Sequence, residues 1–276
     1  MSNASSPLIL VTSDDGFGSP GLHAAVAAVS PLGELIVAAP RWQQTGAGRS
    51  LPDSFTGSIH EETIEVNGQL FVAYAVEGSP AQVVQHTMLE LAPRLPDLVV
   101  CGINYGENLG NGITVSGTVG AALEAAAFGS AALAVSLGVP KIYHRSHSPE
   151  VNFDIAGHFT SYFARWLLTQ ELPFDADVLK LDVPASATTE TPWRVTRVSR
   201  QRYYLPVASR KNALFLPGPL DYEQGFDPDR LEPDSDIYAF AIDQVVSVSA
   251  LSSDLTARVE LAQLERSLRD SAASAF

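Results

Sequence analysis

The sequence predicts an α/β fold: a Rossmann-like three-layer αβα arrangement around a mostly parallel sheet, with protruding β-hairpin arms and a C-terminal helix. Three observations carry this. Residues 8–11 (LILV) form an apolar run without polar alternation, as in a strand covered on both faces, and further strand-like runs recur at 34–39 (ELIVAA), 97–101 (DLVVC), 131–136 and 178–183 (VLKLDV). Segments of helical periodicity lie between them. Polar, glycine-rich stretches follow several of the runs, at the strand ends where open α/β sheets place ligands. The chain has 276 residues, close to the size at which one hydrophobic core stops growing. We therefore expect one domain over residues 1–276, with a core at about 7–190 and the arms and helical tail at about 191–276.

Each element has a local reason. The first run ends in TSDDG, and Leu22, Ala25, Val26 and Val29 then repeat at helical spacing. Gly33 breaks that helix and the second strand follows, ending at Pro40. Residues 41–52 (RWQQTGAGRSLP) form a loop at the sheet edge that carries Asp14 and Asp15. Residues 63–66 and 70–76 flank Asn67-Gly68, a turn pair that favours a two-residue hairpin. Ser79 and Pro80 cap a helix expected to reach Leu91. After the third strand, residues 102–112 (GINYGENLGNG) combine Gly and Asn, which tolerate left-handed backbone, and Ser116, Gly117 and Thr118 open a helix. Residues 151–168 place Phe159, Phe163, Trp166 and Leu167 on one helical stripe, read as core packing. Residues 193–199, Tyr203, Tyr204, 212–216 and 221–236 give short strand-like pieces between acidic and proline-rich turns, read as hairpin arms that seek a partner. Residues 243–250 form one more strand. A tail helix at 255–268 carries Leu255, Val259, Leu261, Leu264 and Leu268, suited to a subunit interface.

Composition narrows the function. The formal net charge is −14, which repels nucleic-acid polymers and anionic membranes. A small phosphorylated substrate stays compatible if a cation supplies local positive charge. A single cysteine, Cys101 in an apolar run, excludes an internal disulfide and reads as a small buried hydrophobe. The N-terminus lacks a basic region followed by an apolar segment, and residues 121–139 are interrupted by Glu124, Gly129, Ser130 and Ser136. A cytoplasmic protein without a membrane partner is the expectation.

Two stretches bear chemistry. Asp14 and Asp15 place adjacent, mutually repelling carboxylates at a strand end, where a divalent cation would offset the repulsion. Asp-Asp-Gly is equally an ordinary turn sequence, so these residues alone leave both readings open. Ser116 to Thr118 make a hydroxyl-bearing helix N-terminus that can hold an anion or serve only as a cap. No Gly-x-Gly-x-x-Gly follows the first strand, which weighs against a dinucleotide-dependent dehydrogenase.

Taken together, the motifs VTSDDGFGSPGL (11–22), AAPRWQQTGAGRSL (38–51), VEGSPAQVV (76–84), GINYGENLG (102–110), SGTVGAALEA (116–125) and the block at 235–256 resemble the SurE family of metal-dependent phosphatases, the survival-protein 5′-nucleotidases. The resemblance implies hydrolysis of phosphate monoesters, above all nucleoside monophosphates. It implies one divalent cation per subunit, Mg²⁺ or Mn²⁺, held by Asp14, Asp15, Thr45 and Asn104. All four are oxygen donors, which suits a hard cation. Asp14 and Asp15 would carry catalysis, and Asn108, Ser116, Gly117 and Thr118 would hold the phosphate. A homodimer or homotetramer is implied. Ser13, Thr45, Arg41 and Trp42 depart from the family pattern, and they motivate a rival reading as a binding protein that kept the site but lost turnover.

Overall fold

A computed structural model describes residues 6–208, 215 and 217–273. In chain order the strands are β1 (Leu8–Thr12), β2 (Glu34–Pro40), β3 (Ile59–Val66), β4 (Gln69–Val76), β5 (Leu98–Tyr105), β6 (Ala131–Leu137), β7 (Val178–Val183), β8 (Trp193–Thr196), β9 (Tyr204–Val207), β10 (Asp221–Gln224) and β11 (Val246–Leu251). The helices are α1 (Pro20–Val29), α2 (Pro80–His86), α3 (Gly117–Ala127), α4 (Asp154–Leu167) and α5 (Leu261–Ala273). Among the described residues, nine strands form one sheet in the order β3-β4-β2-β1-β5-β6-β7-β11-β8. From β4 to β7 every neighbouring pair is parallel. The edges break the rule, with β3 antiparallel to β4 and β11 antiparallel to β7.

Alternation along β1 shows why its run is apolar throughout. Ile9 and Val11 face a core shared with Leu22, Val26, Phe159 and Phe163 of α1 and α4. Leu8 and Leu10 face the opposite core, with Val83, Val84, Val119 and Ala122 of α2 and α3. The sheet is thus the middle of three layers, as expected. Contact is closest where α1 meets β5: a Cβ on Gly21 would lie 1.9 Å from the Ile103 carbonyl oxygen, so only glycine fits there. Cys101 is fully buried. The apolar stretch at 121–139 divides into α3 and β6. Among the described residues no helix is long and apolar enough to cross a membrane.

Several boundaries differ from the sequence expectation. The helix from Ser79 has the expected cap, with Ser79 Oγ accepting from the Gln82 amide and Gln82 Oε1 accepting from the Ser79 amide. It leaves α-geometry after His86, and residues 87–91 make one wider turn closed by the Ala92 amide on the Thr87 carbonyl. Trp166 is 39% exposed, so the aromatic stripe of α4 buries only Phe159, Phe163 and Leu167.

The largest difference concerns the arms. Trp193–Thr196 is the outermost strand of the main sheet, parallel to β11, and is not part of a protruding hairpin. Among the described residues only β9 and β10 form a separate antiparallel ribbon. The strand-like piece expected at 212–216 lies outside the described residues except for Phe215, which sits in a turn. The tail helix begins at Leu261 rather than near 255, and Leu261, Leu264 and Leu268 are exposed.

Candidate active site

At the carboxyl end of β1 the turn and the acid pair are one object. The Gly16 amide donates to the Ser13 carbonyl at 3.1 Å, closing a turn around Asp14 and Asp15. Gly16 has φ +92°, and a Cβ there would meet Trp42 backbone at 2.9 Å, so the turn demands glycine. Both carboxylates are buried, Asp14 at 3% exposure and Asp15 at 0%.

Their partners differ. Thr118 Oγ1 donates to Asp14 Oδ1 at 2.5 Å, and the Asp14 carbonyl accepts from the Gln44 amide at 2.7 Å. Asp15 Oδ2 accepts from the Tyr105 amide at 2.8 Å and Oδ1 from Gln43 Nε2 at 2.7 Å, while its carbonyl accepts from His147 Nε2 at 2.9 Å. Among the described residues neither carboxylate has an ion pair with a Lys, Arg or His side chain. Burial pushes the Asp14 carboxyl up to about 6. Burial, with the neighbouring Asp14 charge added, pushes Asp15 up to about 8. Two desolvated acids side by side demand either protons or a cation.

A cavity of about 330 Å³ opens above them, and it gathers residues from distant parts of the chain. Asp14, Thr45 and Asn104 line it at one end, together with Asn108, Ser116 and Gly117. Asn104 Nδ2 donates to the Gly106 carbonyl at 2.7 Å, which leaves its amide oxygen as the donor atom for a cation. Thr45 sits exposed on the rim, in the loop anchored by the Gly48 amide on the Val115 carbonyl at 3.0 Å. Asp15 and Thr118 do not reach the cavity surface; both are fully buried behind Asp14. Each Asp15 oxygen nevertheless keeps a lone pair beyond its hydrogen bond. Among the described residues no group of three or more His, Cys, Asp or Glu side chains forms a metal cluster, so a cation here would rely on the acid pair plus neutral oxygens. That donor set fits a hard divalent ion.

The anion side is built on α3. Ser116 Oγ caps the helix by accepting from the Val119 amide at 3.2 Å, and the Gly120 amide bonds the Ser116 carbonyl at 2.9 Å. The amides of Gly117 and Thr118 are thereby left over from the helix ladder, at the positive end of its dipole. Gly117 is obligatory, because a Cβ would lie 2.7 Å from both Cβ and Oδ2 of Asp14. Asn108 Nδ2 donates one hydrogen to Ser136 Oγ at 2.8 Å and keeps its second.

Eight residues of the site escaped the sequence reading. Gln43, Tyr105 and His147 hold Asp15 from behind. The outer cavity wall is made by His144, Arg145, Arg202, Tyr204 and Tyr222. His144 Nδ1 lies 2.9 Å from the Tyr222 hydroxyl, and Lys141 binds Asp221 at 2.6 Å, which fastens the β9–β10 ribbon beside the cavity. The run YHRSH at 143–147 is the one local signal, a polar cluster in the loop that follows β6. Arg41 and Trp42, which depart from the family pattern, do not line the cavity; Arg41 bonds His60 and Glu77 instead.

Fold and site define a class: an α/β protein whose strand-end loops set a buried acid pair and a helix N-terminus around one oxygen-lined cavity. The family model for the survival protein SurE matches residues 9–205, and this chain belongs to the SurE family. The 5′-nucleotidase SurE of Thermococcus kodakarensis is 37% identical over 260 residues, covering 94% of this chain and 98% of that protein. The 5′-nucleotidase SurE of Archaeoglobus fulgidus is 39% identical over 255 residues, covering 91% and 94%. The crystal structure of the SurE protein from Aquifex aeolicus superposes with a TM-score of 0.70 at 28% identity, covering 91% of this chain and 95% of that one.

Proposed function

We propose that this chain is a divalent-cation-dependent phosphatase that releases phosphate from nucleoside 5′-monophosphates. The observation that carries the reading is the buried Asp14–Asp15 pair without a cationic partner among the described residues, opening through Asp14 onto a cavity that also holds a helix N-terminus. Kinship with relatives named 5′-nucleotidase SurE supports the substrate class.

Asp14, Asp15, Thr45 and Asn104 would hold one Mg²⁺ or Mn²⁺, with Asp15 placed by Tyr105 and Gln43 and Asp14 by Thr118. A divalent cation bound there supplies charge neutralisation for the phosphate and a more acidic water. Asp14, the member of the pair that faces the cavity, orients the attacking water and accepts its proton. The leftover amide of Gly117, the Ser116 hydroxyl and the free hydrogen of Asn108 Nδ2 hold the phosphate oxygens. Thr118, buried behind Asp14, serves the phosphate only indirectly, since both its hydroxyl and its amide are directed at the Asp14 carboxylate. Tyr204 and Tyr222, on the opposite wall, offer aromatic surface to a base.

The rival reading, a site without turnover, gains no support from Arg41 and Trp42, since neither lines the cavity. We read the protein as a cytoplasmic homodimer, with the exposed leucines of α5 and the β9–β10 ribbon as surfaces for the second copy and no nucleic-acid polymer or membrane as partner. The test of the activity is phosphate release from AMP, GMP, CMP and UMP with Mn²⁺ or Mg²⁺ against excess chelator. Cation-dependent release is expected. Nucleotide binding without release under every cation would favour the rival.

A further inference from the structure

Beneath the anion side of the cavity lies a charged cluster that the phosphatase reading does not use. Lys180 and Asp182 on β7 and Asp236, just before the turn at 238–242, are all fully buried. The Lys180 ammonium donates to Asp182 Oδ2, to Asp236 Oδ2 at 3.3 Å and to the Asn108 carbonyl at 2.8 Å. Asp182 Oδ1 accepts from the Asn108 amide at 2.6 Å. Both backbone polar groups of Asn108 are therefore held by one ion pair. Asp236 extends the clamp in two directions, accepting from the Gly110 amide at 3.1 Å and from the Ser199 amide at 2.9 Å. The Asn111 amide reaches the Gln201 carbonyl at 2.9 Å, next to Arg202 on the cavity wall.

Such burial needs a reason. Two ions removed from water cost several kcal/mol each before their attraction is counted, and apolar residues of similar volume fill such a space as well or better. Stability alone does not call for a lysine here, whereas placing one loop residue does. A buried ammonium with two carboxylates has one good geometry, and here that geometry ends on Asn108.

We infer that Lys180 and Asp182 are positioning residues for phosphate: they set Asn108, and through it the free hydrogen of its side-chain amide, against the helix N-terminus of α3. The inference rests on the assignment of Asn108 to phosphate under the proposed function. Neither residue touches substrate. Asp236 ties the same loop to the segment that leads into Arg202 and Tyr204, so the phosphate end and the outer wall share one anchor.

The experiment compares three proteins: Asn108→Ala, the double variant Lys180→Met/Asp182→Leu, and the combination of all three substitutions. The double variant is used because Lys180→Met alone would strand two buried carboxylates, whereas in the double variant Asp236 keeps the amides of Gly110, Ser199 and Ile237. Inhibition by inorganic phosphate, KM and kcat for an aryl phosphate, Mn²⁺ affinity and melting temperature are measured. In the double variant we expect phosphate inhibition and KM to weaken about tenfold, the scale on which orienting partners act, with Mn²⁺ affinity unchanged and a cooperative melt retained. In the combination the loss should not exceed that of Asn108→Ala, since both act through one side chain. Phosphate inhibition weakened in Asn108→Ala but unaltered in the double variant overturns the clamp alone. Phosphate inhibition unaltered in Asn108→Ala overturns the phosphate role of Asn108, and the inference with it.

Discussion

At the level of single residues, Asp14 and Gly117 are the pair on which the site turns. Asp14→Asn removes one of two buried acids that repel each other, so we expect at least a ~100-fold fall in cation-dependent kcat/KM while the cation-free protein melts no lower than the wild type. Activity assays beside thermal melts check this, and retained activity would take Asp14 out of the site. Gly117→Ala forces a methyl group to within 2.7 Å of the Asp14 carboxylate. That overpacking should cost about 1–3 kcal/mol and weaken Mn²⁺ binding as the carboxylate shifts. An unchanged Mn²⁺ affinity would mean that the carboxylate position is immaterial. The reach of Asp14 into the cavity was legible, because an acid at the end of a core strand in a parallel sheet has few other places to go. The retreat of Asp15 and the Thr118 hydroxyl behind it was not, since which of two adjacent polar side chains is buried depends on Tyr105, Gln43 and His147, remote in sequence.

Among the elements, three described helices begin with a capping serine, Ser19, Ser79 and Ser116, and the last two separate structure from function. Ser79 caps α2 with a reciprocal bond to Gln82 and lies outside the cavity; Ser116 caps α3 and lines it. Each Ser→Ala change should cost about 1 kcal/mol of stability. Only Ser116→Ala should also lower kcat/KM; equal kinetics in the two variants would remove the α3 N-terminus from phosphate binding. These helix starts were readable because Ser-Pro and Ser-Gly-Thr carry cap chemistry in themselves. The strand at Trp193–Thr196 was misplaced for a physical reason: it is an edge strand with Trp193, Arg194 and Val195 exposed, and a short, mostly exposed strand has the same sequence character in an arm as at a sheet edge. The departure from α-geometry at His86 also leaves no trace in a sequence whose periodicity continues to Leu91.

For the molecule as a whole, the parallel centre of the sheet was legible because strands covered on both faces are largely apolar, as in β1 and in Leu98–Cys101 of β5. Their spatial order, and the return of β11 beside β7, were not, because adjacency across a sheet is decided by tertiary packing. The buried charges of β7 make a pH prediction for global stability. Burial pushes the Asp182 carboxyl up to about 6 from an ordinary value near 3.8, so between those values the native state holds more proton than the unfolded chain. The Lys180 ammonium is pushed upward by Asp182 and Asp236 against the opposing effect of burial. The stability of the wild type relative to Lys180→Met/Asp182→Leu/Asp236→Asn, which leaves no titratable group in the cluster, should therefore fall as pH rises from about 4 to 6, level off, and fall again above about 10.5 as the unfolded chain gives up the Lys180 proton that the native state retains. Denaturant melts at these pH values check the sign, and a difference that rises between 4 and 6 would contradict it.

The central claim is that two buried acids, with Thr45 and Asn104, form a cradle for one divalent cation. Titration of cation-free protein with Mn²⁺, followed by electron paramagnetic resonance and repeated on Asp14→Asn, tests it most directly. The account predicts one site per chain in the wild type that is lost in the variant, and equal binding by the two proteins would contradict it.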